Sequence, residues 1–266
     1  MVSYHSDVSP DFLRLGQLPS KPRQIGLTHA LDKGISVEAM VGILTSYREF
    51  IDIWTFGWGT SYVEPRLAEK MSLLKAHGVQ ACVGGTLLEI AWSQGRVEEC
   101  LDWAQSAGFE AVEVSRGVVP MSLDDKQSII RRAAPEFTVF AETGYKTEER
   151  LLLPDEWRRE FLEDMASGAR YVVAEGRESG TIGVYDAAGR TQVDVVDAAV
   201  EAAGIERVIF EAPRKDQQVW FIERHGHTVN LGNIGVFDVL ALLTLRMGLR
   251  ADTAHLSTGE ITQVRV

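Results

Sequence analysis

The sequence predicts a single-domain α/β protein built as a (β/α)8 barrel, and three observations predict it. Eight short β-branched or aromatic runs alternate with amphipathic helical patterns from residue 24 onward. The runs recur every 29 residues on average, close to the ~30 that one strand, one crossover helix and two loops require. Nowhere do helices or strands follow one another alone, which favours a parallel sheet, and eight is the number that closes it. The doubly wound open sheet is the rival fold.

The strands are expected to begin near residues 24 (Gln24-Ile-Gly-Leu-Thr28), 50 (Phe50-Ile-Asp-Ile-Trp54), 79 (Val79-Gln-Ala-Cys-Val83) and 110 (Glu110-Ala-Val-Glu-Val114). The next four begin near 137 (Phe137-Thr-Val-Phe-Ala141), 170 (Arg170-Tyr-Val-Val-Ala174), 206 (Glu206-Arg-Val-Ile-Phe210) and 228 (Thr228-Val-Asn-Leu-Gly232). Between them, 63–77 places Leu67, Met71 and Leu74 on one face with Lys70 and Lys75 opposite. The segment 94–107 does the same with Val97, Leu101 and Ala104. Gly78, Gly108, Gly168, Gly204 and Gly226 each stand just before a strand, where a helix C-terminus needs a residue free to turn left-handed. No Pro/Gly/Ser linker interrupts the repeat, so residues 22–253 are read as one barrel with an N-terminal arm (1–21) and a C-terminal tail (254–266).

Charge narrows the function. With 27 Lys+Arg against 38 Asp+Glu the formal charge is −11, which argues against nucleic acid, since a binder needs a basic stripe to displace phosphate counterions. Cys82 and Cys100 form neither a disulfide framework nor a CxxC pattern, and no secretory signal is legible at the N-terminus. The apolar stretch Ile234 to Leu249 is interrupted by Asp238 and Arg246 and is too short to cross ~30 Å of hydrocarbon. The expectation is a cytoplasmic protein with no membrane partner.

Active sites of parallel barrels lie at the C-terminal ends of the strands. Those ends here are polar: Asp32-Lys33-Gly34, Thr55-Phe-Gly-Trp-Gly-Thr-Ser61, Gly84-Gly85-Thr86, Glu113 with Ser115-Arg116-Gly117, Glu142 with Gly144-Tyr145-Lys146, Glu175-Gly-Arg-Glu-Ser-Gly180, Glu211-Ala-Pro213 and Asn230-Leu-Gly-Asn233. Glu113, Glu142, Glu175 and Glu211 fall at corresponding depths. Four carboxylates facing one funnel either hold a hard cation such as Mg2+ or pair with nearby lysines and arginines. Gly57, Gly59, Gly84, Gly85, Gly176 and Gly232 offer backbone N–H groups to a small anion or serve simply as turns. Lys33, Arg116, Lys146, Arg177 and Arg250 are expected to make the mouth basic enough to draw an anionic substrate into an acidic protein, although Arg250 equally suits a helix C-terminus. His29, His225 and His227 show no metal spacing and are read as structural or surface residues.

Taken in order, Leu31-Asp-Lys-Gly34, Phe56-Gly-Trp-Gly-Thr-Ser61, Gly84-Gly-Thr-Leu87 with Glu89, Glu175-Gly-Arg-Glu-Ser-Gly180, Ile209-Phe-Glu-Ala-Pro213, Gln217-Gln218, Val229-Asn-Leu-Gly-Asn-Ile234, and Thr244-Leu-Arg246 with Gly248-Leu-Arg250 resemble the phosphosulfolactate synthase family over about 22–253. The resemblance implies a (β/α)8 barrel, often a homo-oligomer, that adds sulfite to phosphoenolpyruvate with Mg2+ to give (2R)-phospho-3-sulfolactate on a route to coenzyme M. It implies Lys146 as general acid, with Lys33 and Glu142 beside it in the catalytic set. Glu113, Glu175 and Glu211 are then the metal ligands. Substrate binding is expected from Asp32, Thr55, Gly84, Gly85, Arg116, Tyr145, Arg177, Ser179, Asn230, Gly232, Asn233 and Arg250. The chain departs from the family pattern at Thr55 and Tyr145, where the family usually has lysine, at Arg116, where it has aspartate, and at Ala251, where it has glycine. Those departures leave two other readings beside the family reaction: a paralogue adding another nucleophile or using another phosphorylated or enol acceptor, and a non-catalytic stress-related binding protein.

Overall fold

The computed structural model describes residues 12–144 and 152–258. In chain order the elements are β1 (Thr28–Asp32), α1 (Val37–Tyr47), β2 (Ile53–Phe56), α2 (Thr60–Val63), α3 (Leu67–His77), β3 (Gln80–Val83), α4 (Gly85–Ser93), α5 (Val97–Ala107), β4 (Ala111–Val114) and α6 (Leu123–Ala133). They continue through β5 (Thr138–Thr143), α7 (Pro154–Ala166), β6 (Tyr171–Ala174), α8 (Val193–Ala203), β7 (Val208–Glu211), α9 (Lys215–His225), β8 (Leu231–Gly235), α10 (Val239–Arg246) and α11 (His255–Thr258). The eight strands pair in parallel in sequence order and β8 closes on β1. The predicted barrel is therefore the observed one, and the open sheet is excluded.

Each strand starts one to four residues later than the sequence suggests. The largest delay is at β1, where Gly26 takes φ +73 and its N–H bonds the Thr228 carbonyl at 2.7 Å, so the chain turns before it extends. The helices open and close on local chemistry. Ser36 caps α1 by accepting from Ala39 N–H, and Ser122 caps α6 by accepting from Asp125 N–H at 3.0 Å. Gly78 ends α3 at φ 62, ψ 39, the left-handed turn expected of it. One segment differs: the sequence reads 84–86 as a loop, but α4 starts at Gly85 directly after β3, so two helices stand between β3 and β4.

Side chains alternate across each strand. Trp54, Phe56, Val112, Val114, Val139 and Ala141 face outward into the core between sheet and helices, whereas Ile53, Cys82, Ala111, Phe140, Tyr171, Val173 and Ile209 fill the barrel interior. Two residues beyond interior Ala111, Phe140, Val173 and Ile209 come Glu113, Glu142, Glu175 and Glu211. The period of two thus carries all four glutamates to the same face, one layer above the apolar plug.

The same alternation corrects one reading. Lys70 does not lie on a solvated face of α3; it is buried, with Nζ 2.6 Å from Glu64 Oε2 and 3.3 Å from Asp32 Oδ2. Among the described residues no helix is long and apolar enough to cross a membrane.

Candidate active site

A cavity of about 230 Å3 opens at the C-terminal end of the barrel. Such a volume suits a small metabolite, below the range that holds drug-sized ligands. Of the residues expected at the site, Thr55, Gly84, Gly85, Glu113, Glu142, Glu175, Arg177, Glu211 and Asn233 line it. The four glutamates are nearly enclosed. Lys33 stands at the rim, half exposed, 3.2 Å from Glu178 Oε2 and 6.0 Å from the centroid of the Trp58 ring.

Backbone strain is concentrated at this mouth. Trp58, Arg177 and Asn233 are the non-glycine residues with left-handed φ among those described (57, 57 and 54), and all three line the cavity. Strained conformations of this kind persist where surrounding bonds over-determine them. Arg177 shows how: its N–H reaches Glu175 Oε1 at 2.6 Å and Glu211 Oε2 at 3.0 Å, and Gly176 N–H reaches the same Glu211 oxygen at 2.8 Å. Gly85 N–H likewise meets Glu113 Oε1 at 3.1 Å. Of the backbone donors expected to receive an anion, those of Gly85 and Gly176 therefore already hold glutamate carboxylates, which fix both the loops and the glutamates.

Several expected residues lie elsewhere, each for a physical reason. Asp32 points outward from β1, away from the cavity lining, where it anchors the following loop by accepting from Gly34 and Ile35 N–H at 2.7 and 2.9 Å and from Trp54 Nε1 at 3.2 Å. Arg116 lies outside the cavity lining and grips Glu160 of α7 through both Nε and Nη2. Ser179 is exposed and bonds the Thr181 hydroxyl. Asn230 closes the opposite end of the barrel, joining Leu27 N–H to the Glu206 and Val208 carbonyls. Gly232 packs against His29 and Ile209 within the barrel, beneath the cavity. Arg250 lies beyond α10 near Asp252. Tyr145 and Lys146 fall outside the described residues. The described lining is consequently more acidic than expected, with Glu113, Glu142, Glu175, Glu178 and Glu211 around Arg177.

The structure also gives places at the site to residues that the sequence reading left out of the expected site set. His29, read as structural or surface, lines the cavity; its Nε2 contacts Thr55 Oγ1 and its ring stacks on Phe140 at 5.8 Å. Burial pulls its pKa down to about 4 against the opposing pull of Glu142, so the ring is neutral near pH 7. Its alternation with Leu31 on β1 was the available signal. Glu89 of α4 is a second: fully buried, it accepts from Ser115 Oγ at 2.5 Å and from Gly117, Val118 and Val119 N–H at 3.1, 2.7 and 3.0 Å. It therefore fixes the loop after β4, whose Val118 lines the cavity.

The carboxylate oxygens are the hard ligands that Mg2+ prefers, but among the described residues no three His, Cys, Asp or Glu side chains converge on one point. The ion commonly takes only one or two carboxylates and completes its shell with water and substrate oxygens. The residues fit a Mg2+ held in that way, and do not form a closed three-glutamate cage.

Comparison with known proteins agrees with this architecture. The family model described as (2R)-phospho-3-sulfolactate synthase matches residues 16–252. Among curated proteins, the phosphosulfolactate synthase of Methanocaldococcus jannaschii is 42% identical over 236 residues, covering 86% of this chain and 94% of that protein. The phosphosulfolactate synthase of Bacillus subtilis is 38% identical over 247 residues, covering 92% and 98%. Among solved structures, the YdjI aldolase of Escherichia coli superposes with a TM-score of 0.55 at 13% identity, covering 88% of this chain and 85% of that one, a likeness of fold alone.

Proposed function

The chain belongs to the (2R)-phospho-3-sulfolactate synthase family, and we propose that it joins sulfite to phosphoenolpyruvate to form (2R)-phospho-3-sulfolactate, with Mg2+ as cofactor. The observation that carries this reading is the gathering of Glu113, Glu142, Glu175, Glu211 and Arg177 on one small cavity at the catalytic end of the barrel, in a chain of that family.

The reaction forms one C–S bond. The sulfite lone pair attacks the methylene carbon, the C=C electrons move toward the substrate carboxylate, and a proton is delivered to C2. One or two of Glu113, Glu175 and Glu211 would hold Mg2+, which when bound would supply Lewis-acid stabilisation of the negative charge that gathers there. Arg177 steers an anionic oxygen at the rim, and Lys33, beside Trp58, adds positive charge at the entrance. Glu142 lines the cavity from β5, and Lys146 is assigned the proton delivery to C2 on the family resemblance. The small, largely apolar-floored cavity keeps bulk water from the carbanionic carbon.

Incubating the protein with phosphoenolpyruvate, sulfite and Mg2+ and following product by mass spectrometry tests the proposal. A phosphosulfolactate peak that disappears with chelator, and falls on Lys146→Ala, is expected; absence of product from the folded wild type overturns it. The cytoplasm and a homo-oligomer belong to the same proposal. Two free cysteines support a reducing compartment, and strongly exposed Tyr62, Val63 and Phe237 support contact between copies.

A further inference from the structure

One layer below the glutamates, level with Ala111 and Phe140, the cavity holds a neutral pair, His29 on β1 and Thr55 on β2. Both line the cavity, both are nearly inaccessible (3% and 2% exposed), and Nε2 of the ring contacts Oγ1 of the threonine. We propose that His29 is a positioning residue that orients the Thr55 hydroxyl as a hydrogen-bond donor to an oxyanion oxygen of the substrate. The inference rests on the reading of the cavity as a site for anionic reactants.

The direction of the bond follows from what surrounds the ring. Nδ1 is buried with no hydrogen-bond partner among the described residues. An orphaned buried N–H is rarer than an orphaned acceptor, which places the ring proton on Nε2, where Thr55 Oγ1 receives it. The ring cannot easily turn away. It stacks on Phe140 with an interplanar angle of 19°, and it packs closely over Gly232, where a Cβ would stand 3.2 Å from Nδ1. Since its oxygen accepts from His29, the Thr55 hydroxyl has its own proton to place elsewhere. One choice is the Cys82 sulfur, an interior neighbour that is a weak acceptor. The other is a ligand oxygen in the cavity, and an anionic oxygen is much the stronger acceptor. The neutral state of the ring agrees with this geometry, since burial keeps it uncharged near pH 7.

The consequence is a subsite that binds an oxyanion through a directed hydroxyl instead of a charge, at the position where the family pattern has lysine. The test is a cycle of His29→Leu, Thr55→Val and the double variant, with His29→Gln as the conservative replacement that still carries an N–H donor. Binding of phosphoenolpyruvate with Mg2+, and of sulfate as a sulfite mimic, is measured by calorimetry, alongside KM and kcat. Thermal unfolding checks that each variant folds.

Each single variant should weaken at least one anion about 10–100-fold, the range of one hydrogen bond to a charged group. The double variant should be no worse than either single one, and His29→Gln should recover most of the loss, with KM moving more than kcat. His29→Leu binding both anions within twofold of wild type, or additive losses in the double variant, overturns the proposal. So does wild type that binds neither anion. If wild type binds and the pair is coupled but no product forms from sulfite and phosphoenolpyruvate, the reaction assignment fails while the role of His29 stands.

Discussion

The ammonium of Lys126, on α6 outside the barrel, donates to the main-chain carbonyl of Glu142 at 2.7 Å and so ties the helix layer to the strand end that carries a cavity glutamate. The same Nζ meets Asp164 Oδ2 at 2.6 Å and Glu160 Oε1 at 2.8 Å, all three side chains being buried. Replacing Lys126 with Met leaves the buried Asp164 without its cation and Glu160 with Arg116 alone. Removing one partner of such a cluster costs about 3–5 kcal/mol, so Lys126→Met should lower the midpoint of chemical unfolding accordingly. Adding Glu160→Gln and Asp164→Asn should recover part of it; no recovery would show that the loss is one of packing alone.

Glu160 gives this cluster a pH dependence. Burial pushes its carboxyl up, but Lys126 and Arg116 outweigh that and hold it at about 2, below an ordinary value of 4.5. A depressed carboxyl contributes stability that is fully present above pH 4.5 and is lost as pH falls toward 2. The difference in unfolding free energy between wild type and Glu160→Gln should therefore shrink by on the order of 3 kcal/mol between pH 5 and pH 2. A difference that stays constant across that window would exclude the linkage.

Much of this was legible in the sequence, and what was not has a common cause. Strand period and spacing carried the closed barrel and the shared depth of Glu113, Glu142, Glu175 and Glu211, because alternation is a local property. Which partner a polar residue chooses is not local. Asp32, Lys70 and Arg116 stand at strand ends or on helix faces as site residues or solvated charges would, yet each is turned toward a partner far away in the chain. His29 was obscured in the opposite way: one apolar-strand histidine carries no motif, and its role comes only from the neighbouring strand that places Thr55 against it.

Glu89 should behave as the fastening of the loop after β4. Its carboxylate accepts three backbone N–H groups and the Ser115 hydroxyl, so Glu89→Ala strips four donors at once. Each buried donor left unmade costs about 1–3 kcal/mol before water enters. Hydrogen exchange at the amides of Gly117, Val118 and Val119 should speed up by orders of magnitude, and KM should rise because Val118 lines the cavity. Unchanged protection of those three amides would refute the assignment.

Arg177 separates binding from stability. Its φ of +57 suits glycine, so Arg177→Gly relieves backbone strain while adding unfolded-state freedom, and stability should stay within about 1 kcal/mol of wild type. Arg177→Val puts a β-branched side chain in the same conformation and should cost about 1–3 kcal/mol. Both lose the guanidinium, so both should weaken binding of the anionic substrate about tenfold or more. Calorimetric titration and thermal unfolding of the pair would show whether affinity and stability part in this way.

Gly85 makes the sharpest demand on the site. A Cβ there would fall inside van der Waals contact with Ser115 Oγ and stand 3.0 Å from both Ser115 Cβ and Glu113 Oε1. The backbone itself has no left-handed φ to lose, so Gly85→Ala should fold. Its methyl must push away Ser115, which donates to Glu89, or Glu113, which accepts from Gly85 N–H. Either shift moves a cavity wall by a sizeable fraction of an ångström, and misplacement on that scale costs on the order of 100-fold in rate. Turnover should fall by about that factor, the crowding should cost about 1–3 kcal/mol of stability, and Ser115→Gly, by removing the obstructing side chain, should return part of both. Full activity in Gly85→Ala would mean that neither neighbour is held where the reaction needs it.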